Sequence, residues 1–292
     1  MGVQQPIIAL VRTKRQHVGE LGRICFEAFK DVADHHGFTP DFSSVADARR
    51  AIGELVRRSD EFYGVAALVD GEPVGSNFLT LADPVTGVGP ITVDLAFQSQ
   101  GVGRALMRDV IEFAKRERIE RVRLMQDAFN MASLTLYASL GFEVKEAAAL
   151  MLAQPAGAPD PAIRPATEAD LAAIETLGVR FYKTSRRNEV ASALRHGRTV
   201  LLRERDGEGV GYLVPGMFGH GIASTTDDAL ALVGEAARRE TFRPVHFFCP
   251  LSEADLFRAV VRAGHRVVKV MNLMALGPYE PPDAVWLPSV AY

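Results

Sequence analysis

Between residues 91 and 107 the chain reads Ile91-Thr92-Val93-Asp94-Leu95-Ala96-Phe97-Gln98-Ser99-Gln100-Gly101-Val102-Gly103-Arg104-Ala105-Leu106-Met107. An extended apolar stretch, a tight turn and a helix start follow one another. Gly101 and Gly103 carry no side chain where the backbone turns, so N–H groups there can approach an anion closely. The helix opening at this point offers unpaired N–H groups and the positive end of its dipole, about half a charge. A diphosphate suits such a place. No Gly-Lys-Ser/Thr follows, which argues against a nucleotide-hydrolysing P-loop. A dinucleotide fingerprint also fails, because the third glycine is missing three residues on. The loop alone leaves a second reading open, a glycine-tolerant turn into a helix.

A second motif lies downstream, Asn130-x-x-Ser133-x-x-Leu136-Tyr137-x-x-Leu140-Gly141-Phe142. With Gln98, Gly101 and Gly103 matching Gln/Arg-x-x-Gly-x-Gly/Ala, the stretch from about residue 7 to 153 resembles the GNAT superfamily of acyl-CoA-dependent N-acetyltransferases. The resemblance implies acetyl-CoA as co-substrate and no metal. It implies that the backbone of Val93, Asp94 and Leu95 pairs with the pantetheine arm. The amides of Gln98, Ser99, Gln100, Gly101, Val102, Gly103 and Arg104 would hold the diphosphate. Asn130 and Ser133 would contact the cofactor, and Tyr137 would protonate the departing thiolate.

Acid–base chemistry agrees with the last role. A thiol has a reference pKa of about 8.5 and a tyrosine about 10, so the phenol stays protonated at neutral pH and can donate as sulfur gains charge. The bland alternative is a tyrosine packed on the Leu136/Leu140 face. The base is harder to find. An amine with a pKa of about 10.4 costs roughly 4–5 kcal/mol to present uncharged at pH 7. The strand before the loop begins Val88-Gly89-Pro90-Ile91 without a carboxylate, and Asp94 alternates away from Val93. A water chain or a group from elsewhere is implied. His35, His36 and Phe38, read as part of the connection between the first two helices with Phe42 exposed beside them, are candidate acceptor contacts. So is Gln126, with Asp127, at the end of the strand preceding Asn130.

The elements that must position these groups are legible around them. Ser44 with Asp47 reads as a capping box opening a helix to about Arg57. Tyr63–Val69 and Val74–Leu81 read as strands joined by the turn Asp70-Gly71. Gly89–Leu95 reads as a strand, Val102–Arg116 as a long amphipathic helix, and Val122 and Leu124 alternate with the charged Arg121 and Arg123 in another strand. Ser133–Leu140 reads as a short helix. The result is an α+β, layered domain.

Gln154-Pro155-Ala156-Gly157-Ala158-Pro159-Asp160-Pro161 reads as a linker. Beyond it the pattern restarts around Arg164, and Gly264-His265 precedes Leu273-Met274 at the spacing that separates Gly141-Phe142 from Leu150-Met151. The division expected is a GNAT domain at 1–153 and a degenerate GNAT-like domain at 162–292, each a mixed, mostly antiparallel sheet flanked by helices. In the second, glycines 216, 219 and 221 precede the helix Ala229–Arg238 by several residues. Thr226 or Asp227 is expected to cap that helix and Asp227 and Asp228 to repel a diphosphate, so no acyl-CoA is expected there. No tyrosine stands at the acid's place, and His220 and Cys249 read as structural. This half is expected to buttress the first, shape the acceptor pocket or make a homodimer contact. Its proline-rich end from Gly277 is expected to lie extended, with Pro288–Tyr292 docked.

The whole chain has 292 residues, 33 Lys+Arg and 36 Asp+Glu. Neither half has the basic excess that draws a protein to nucleic acid or an anionic membrane. No apolar run reaches the roughly 18–20 residues of a membrane span. The N-terminus has its basic cluster after its apolar run, against a secretory signal, and Pro6 argues against myristoylation. With Cys25 and Cys249 alone, a reducing cytoplasm is the expected setting. The expected function is acetyl transfer from acetyl-CoA to a primary amine of a small molecule or protein. The alternative is a non-catalytic acyl-CoA sensor.

Overall fold

The computed structural model describes residues 7–240 and 244–290, so Gly2, Pro6 and the last two residues of the expected docked tail lie outside it. The chain forms two compact units. The first takes in the residues up to Leu81, Thr86–Val122 and Asn130–Gly141; the second takes in Ala82–Val85, Arg123–Phe129 and Phe142 onward. This differs from a cut at 153. The physical reason is that the strands leaving the first half by sequence are hydrogen-bonded into a sheet of the second unit.

In unit 1, β1 (Ala9–Arg12), β2 (Phe62–Val69) and β3 (Glu72–Thr80) form an antiparallel sheet. The stretch expected as one strand over Gly89–Leu95 is broken up. β4 (Val85–Gly87) precedes it, only β5 (Thr92–Val93) pairs with β3, and Leu95–Phe97 form a 3-10 turn. Asp70 and Gly71 both have positive φ, 51° and 86°, as a two-residue hairpin turn requires. Helices α1 (Val18–His36) and α2 (Val45–Arg57) bury Leu21, Ile24, Cys25 and Ile52 against Ala66 and Phe78. Ser44 caps α2 by accepting from Asp47 N–H at 3.1 Å. Phe42, expected to be exposed, packs edge-on against Phe29 with centroids 5.7 Å apart. Helix α3 (Val102–Arg116) lies on the opposite face of the sheet, where Asn77 donates to the Met107 sulfur at 3.4 Å and Phe113 stacks on Tyr63 at 3.7 Å.

Gly22 marks the tightest approach of α1 to α2, because a Cβ there would lie 2.6 Å from the Arg49 Cα. Backbone cannot yield as a side chain can. Gly22→Ala is therefore expected to destabilise by about 1–3 kcal/mol despite alanine's better helix propensity. Thermal unfolding followed by circular dichroism reads this as a lowered Tm; an unchanged or raised Tm would refute it.

Unit 2 holds β6 (Arg121–Asp127, from Arg123), α5 (Leu171–Tyr182), α6 (Arg187–Arg195), α7 (Thr226–Arg239), α8 (Ala254–Arg262) and two sheets. The first sheet contains β7 (Glu143–Leu152), β12 (His246–Pro250) and β13 (Arg266–Leu276), in the order β12-β7-β13-β6, continued by β4, whose Val85 belongs to this unit. The second contains β8 (Ile163–Pro165), β9 (Leu201–Arg205), β10 (Glu208–Leu213), β11 (Gly221–Ala223) and β14 (Val285–Leu287), in the order β14-β11-β10-β9-β8. The C-terminal stretch thus adds a strand and buries Trp286. Arg123, which the sequence pattern treats as a charged neighbour, is 1% exposed and donates to the carbonyls of Leu276 and Pro278. Gln154–Pro161 has neither helix nor strand.

Asp83 accepts from the amides of Asn188 and Glu189 at the start of α6, at 3.1 and 2.9 Å. Burial pushes its carboxyl up to about 6, with nearby Glu189 adding to the rise. A carboxyl whose folded pKa exceeds the unfolded value of about 3.9 binds more protons in the native state. Its contribution to stability therefore falls as pH rises from about 4 to 6. Asp83→Asn is expected to unfold at a higher temperature than the unmodified protein at pH 7, by an advantage that vanishes toward pH 4. A difference that is constant over this range would contradict the assignment.

Candidate active site

Unit 1 assembles the loop and the tyrosine helix from neighbouring elements. Gly75 on β3 faces Val93, and a Cβ there would lie 2.7 Å from the Thr92 carbonyl oxygen, so this position admits only glycine without a shift. The close pairing fixes β5, and the chain then turns through Asp94. The Asp94 carboxylate accepts from Ala96 N–H at 3.0 Å and from Arg23 of α1 at 2.7 Å. Glu20 first, then Asp94, hold the Arg23 guanidinium firmly protonated, with Glu27 also paired to it. Asp94 thus points away from Val93, as its alternation implies, and both its oxygens are committed. The part played by Arg23 was not visible in the sequence, because 71 positions separate it from Asp94.

The loop itself carries little that would block an anion. Leu95, Gln98, Ser99 and Gly101 are exposed, Gln98 donates to the Val93 carbonyl at 3.4 Å, and Gln100 to that of Ala96 at 2.7 Å. Ser99 and Gly101 have positive φ, 61° and 91°. Helix α3 begins from Gly101 with no side-chain cap and no acidic residue in its first turn. Its hydrogen-bond ladder starts with Ala105 N–H to Gly101 O at 3.0 Å. The amides of Val102, Gly103 and Arg104 precede that ladder, and together with the helix dipole they make a donor set that fits a diphosphate.

Helix α4 (Met131–Ala138) lies beside this turn. A Cβ on Gly103 would sit 3.5 Å from Leu136 Cδ2 and 3.8 Å from Val93 Cγ2. Leu136 immediately precedes Tyr137, which is 7% exposed. Asn130 is the N-cap of α4: its side-chain oxygen accepts from Ser133 N–H at 3.1 Å, and the Ser133 hydroxyl donates to the Asn130 carbonyl at 3.0 Å. The two residues thus have a local helix-starting role that the motif alone did not show.

Each acceptor candidate has its own local surroundings. His35 and His36 are not in the connection; they form the last turn of α1, which Gly37 closes in the left-handed conformation. Their Nδ1 atoms lie 2.8 Å from the carbonyl oxygens of Asp31 and Val32, four residues back. Each imidazole thus bonds back onto the preceding turn of its own helix. Phe38 follows, its N–H bonded to Ala33 O at 2.9 Å. Gln126 belongs to unit 2, is 2% exposed and accepts from Asn272 at 2.9 Å, while Asp127 pairs with Lys269 at 2.9 Å. Both are strand-pairing groups.

The corresponding helix of unit 2 carries an acidic side chain at its own start. Thr225, one residue earlier than expected, caps α7 by accepting from Asp228 N–H at 3.2 Å. The buried Asp228 carboxylate pairs with Arg203 at 3.0 Å and Arg205 at 2.6 Å. His220 is buried against Tyr212, 3.0 Å from its hydroxyl, and burial lowers its pKa well below the ordinary value. Among the described residues no group of three or more His, Cys, Asp or Glu could hold a metal, and no helix is long and apolar enough to cross a membrane.

The fold of nearly the whole chain is that of tandem GNAT proteins. A putative acetyltransferase from Pyrococcus horikoshii superposes with a TM-score of 0.78 at 14% identity, covering 98% of this chain and 94% of that one. A GCN5-related N-acetyltransferase from Sphaerobacter thermophilus gives 0.61 at 17% identity, covering 94% and 97%. A tandem GNAT protein from the clavulanic acid biosynthesis pathway gives 0.61 at 14% identity, covering 94% and 100%. In sequence, residues 25–142 match the Acetyltransferase (GNAT) family. An uncharacterised N-acetyltransferase of Methanocaldococcus jannaschii is 32% identical over 99 residues, which cover 32% of this chain and less than half, 43%, of that relative.

Proposed function

We propose that the chain transfers an acetyl group from acetyl-CoA to a primary amine of a small molecule or protein, with Tyr137 as general acid. The observation that supports this reading is the open N-terminus of α3 with Gly103 set against Leu136, the residue before Tyr137. Acetyl-CoA supplies the activated acyl group. The amides of Val102–Arg104 bind its diphosphate, and the β5 backbone orients the arm. The Tyr137 hydroxyl donates to sulfur as the carbon–sulfur bond breaks, then gives up its proton. Asp94 is committed to Arg23 and Ala96, so the amine loses its proton to water rather than to this carboxylate.

Thermal shift with acetyl-CoA, followed by thiol release against a panel of polyamines, amino acids, aminoglycosides and lysine peptides, tests the reading. Stabilisation with turnover on at least one amine is expected. Stabilisation without turnover on any of them would favour an acyl-CoA sensor, and no stabilisation would remove both.

A further inference from the structure

Gly141 and Gly264 stand 123 positions apart. The same displacement carries residues 123–127 of β6 onto β12, and the start of α4 onto the start of α8. Applied to the pairing of β7 with β13, it turns the register into itself. Leu152 faces Arg266, while Ala275, the counterpart of Leu152, faces Glu143, the counterpart of Arg266. Ala148 faces Met271, its own counterpart, and marks the centre. Even the irregularities obey the relation: one bulge skips Val268, the other its counterpart Lys145. So do the flanking bonds, Ala128 N–H to Val270 O at 3.1 Å and Leu251 N–H to Ala147 O at 2.8 Å.

Such a register, in which each contact has a mate with the roles exchanged, is the isologous form adopted by two identical subunits around a two-fold axis. β7 is enclosed on both edges by strands from beyond the linker, β12 and β13. Without them it would present two bare edges and an apolar run, Ala147–Leu152, an arrangement prone to recruit another strand. We propose that this sheet is a subunit interface folded into a single chain. The halves hold each other through their strands and not through the linker, and an N-terminal half released from its mate pairs with a second copy of itself in the same register.

The test uses the full chain with a protease recognition sequence inserted after Gly157. Cut in native buffer, the protein is expected to keep the mass of the uncut chain by native mass spectrometry and to unfold in one transition. Separation of the halves on cutting would overturn the proposal. Two cut preparations, one isotopically heavy, are then unfolded, mixed and refolded. The expected particles are mixed heavy–light pairs of one N-terminal with one C-terminal half, together with pairs of two N-terminal halves. Absence of the N–N particle, whether because only N–C pairs form or because the free halves precipitate, would overturn the self-pairing.

Discussion

Replacing Tyr137 with phenylalanine is expected to lower turnover by about 10²–10³-fold while leaving acetyl-CoA affinity within about threefold, the size usual for removing a positioned acid. The ring is 7% exposed, and phenylalanine keeps its shape, so the α4 turn should hold. What is lost is one O–H. Saturating thiol-release kinetics give the turnover and equilibrium titration gives the affinity. A second readout separates chemistry from packing. Donors whose thiol is more acidic than that of coenzyme A need less help in leaving, so the variant should lose less on them. Unchanged turnover, or an equal loss on all donors, would sink the acid role.

Gly103→Asp should act on the other end of the site with two effects of opposite sign. The position tolerates a side chain, with ordinary contacts to Leu136 and Val93. A carboxylate in the first turn of α3 favours the free helix by about 0.3–1 kcal/mol, so Tm without ligand should rise. The same charge about 6 Å from a doubly charged diphosphate costs about 1.4–5.5 kcal/mol at effective dielectrics between 20 and 80, or roughly a 10- to 10,000-fold weaker Kd. Gly103→Asn separates charge from bulk. It should weaken binding less, and the gap between the two variants should shrink as salt rises. A Gly103→Asp protein that still binds acetyl-CoA normally would show that the diphosphate lies elsewhere.

The local elements could be read because their signals are local. Ser44 caps α2 at the expected place, and Val102–Arg116 is a helix to the residue. The glycine-opened start of α3 is legible for the same reason, since glycine placement and helix start fall within seven residues. Contacts between distant positions were not. Arg123 looked like an exposed strand charge until Leu276 and Pro278 supplied carbonyls from over 150 residues away. Gln126 reads as a strand-end group that could face an acceptor, and its bond from Asn272 is not visible in the sequence. His35 and His36 were misplaced because the αL break falls at Gly37, one residue after them, and nothing before it stops the helix. The repeated glycine-to-Leu-Met spacing disclosed a duplication but not that the duplicated strands pair with each other.

Asp228 at the start of α7 has one more consequence. It places on the chain the negative charge that a bound phosphate would otherwise bring, already neutralised by Arg203 and Arg205. That helix start already has a charge of its own beside it. Its counterpart α3 has none in its first turn, and a ligand present at 100 times its Kd would add about 2.7 kcal/mol to the folded state through α3 alone. Cellular acetyl-CoA levels would then set how long the folded chain survives unfolding and proteolysis, with α3 as the place where they act.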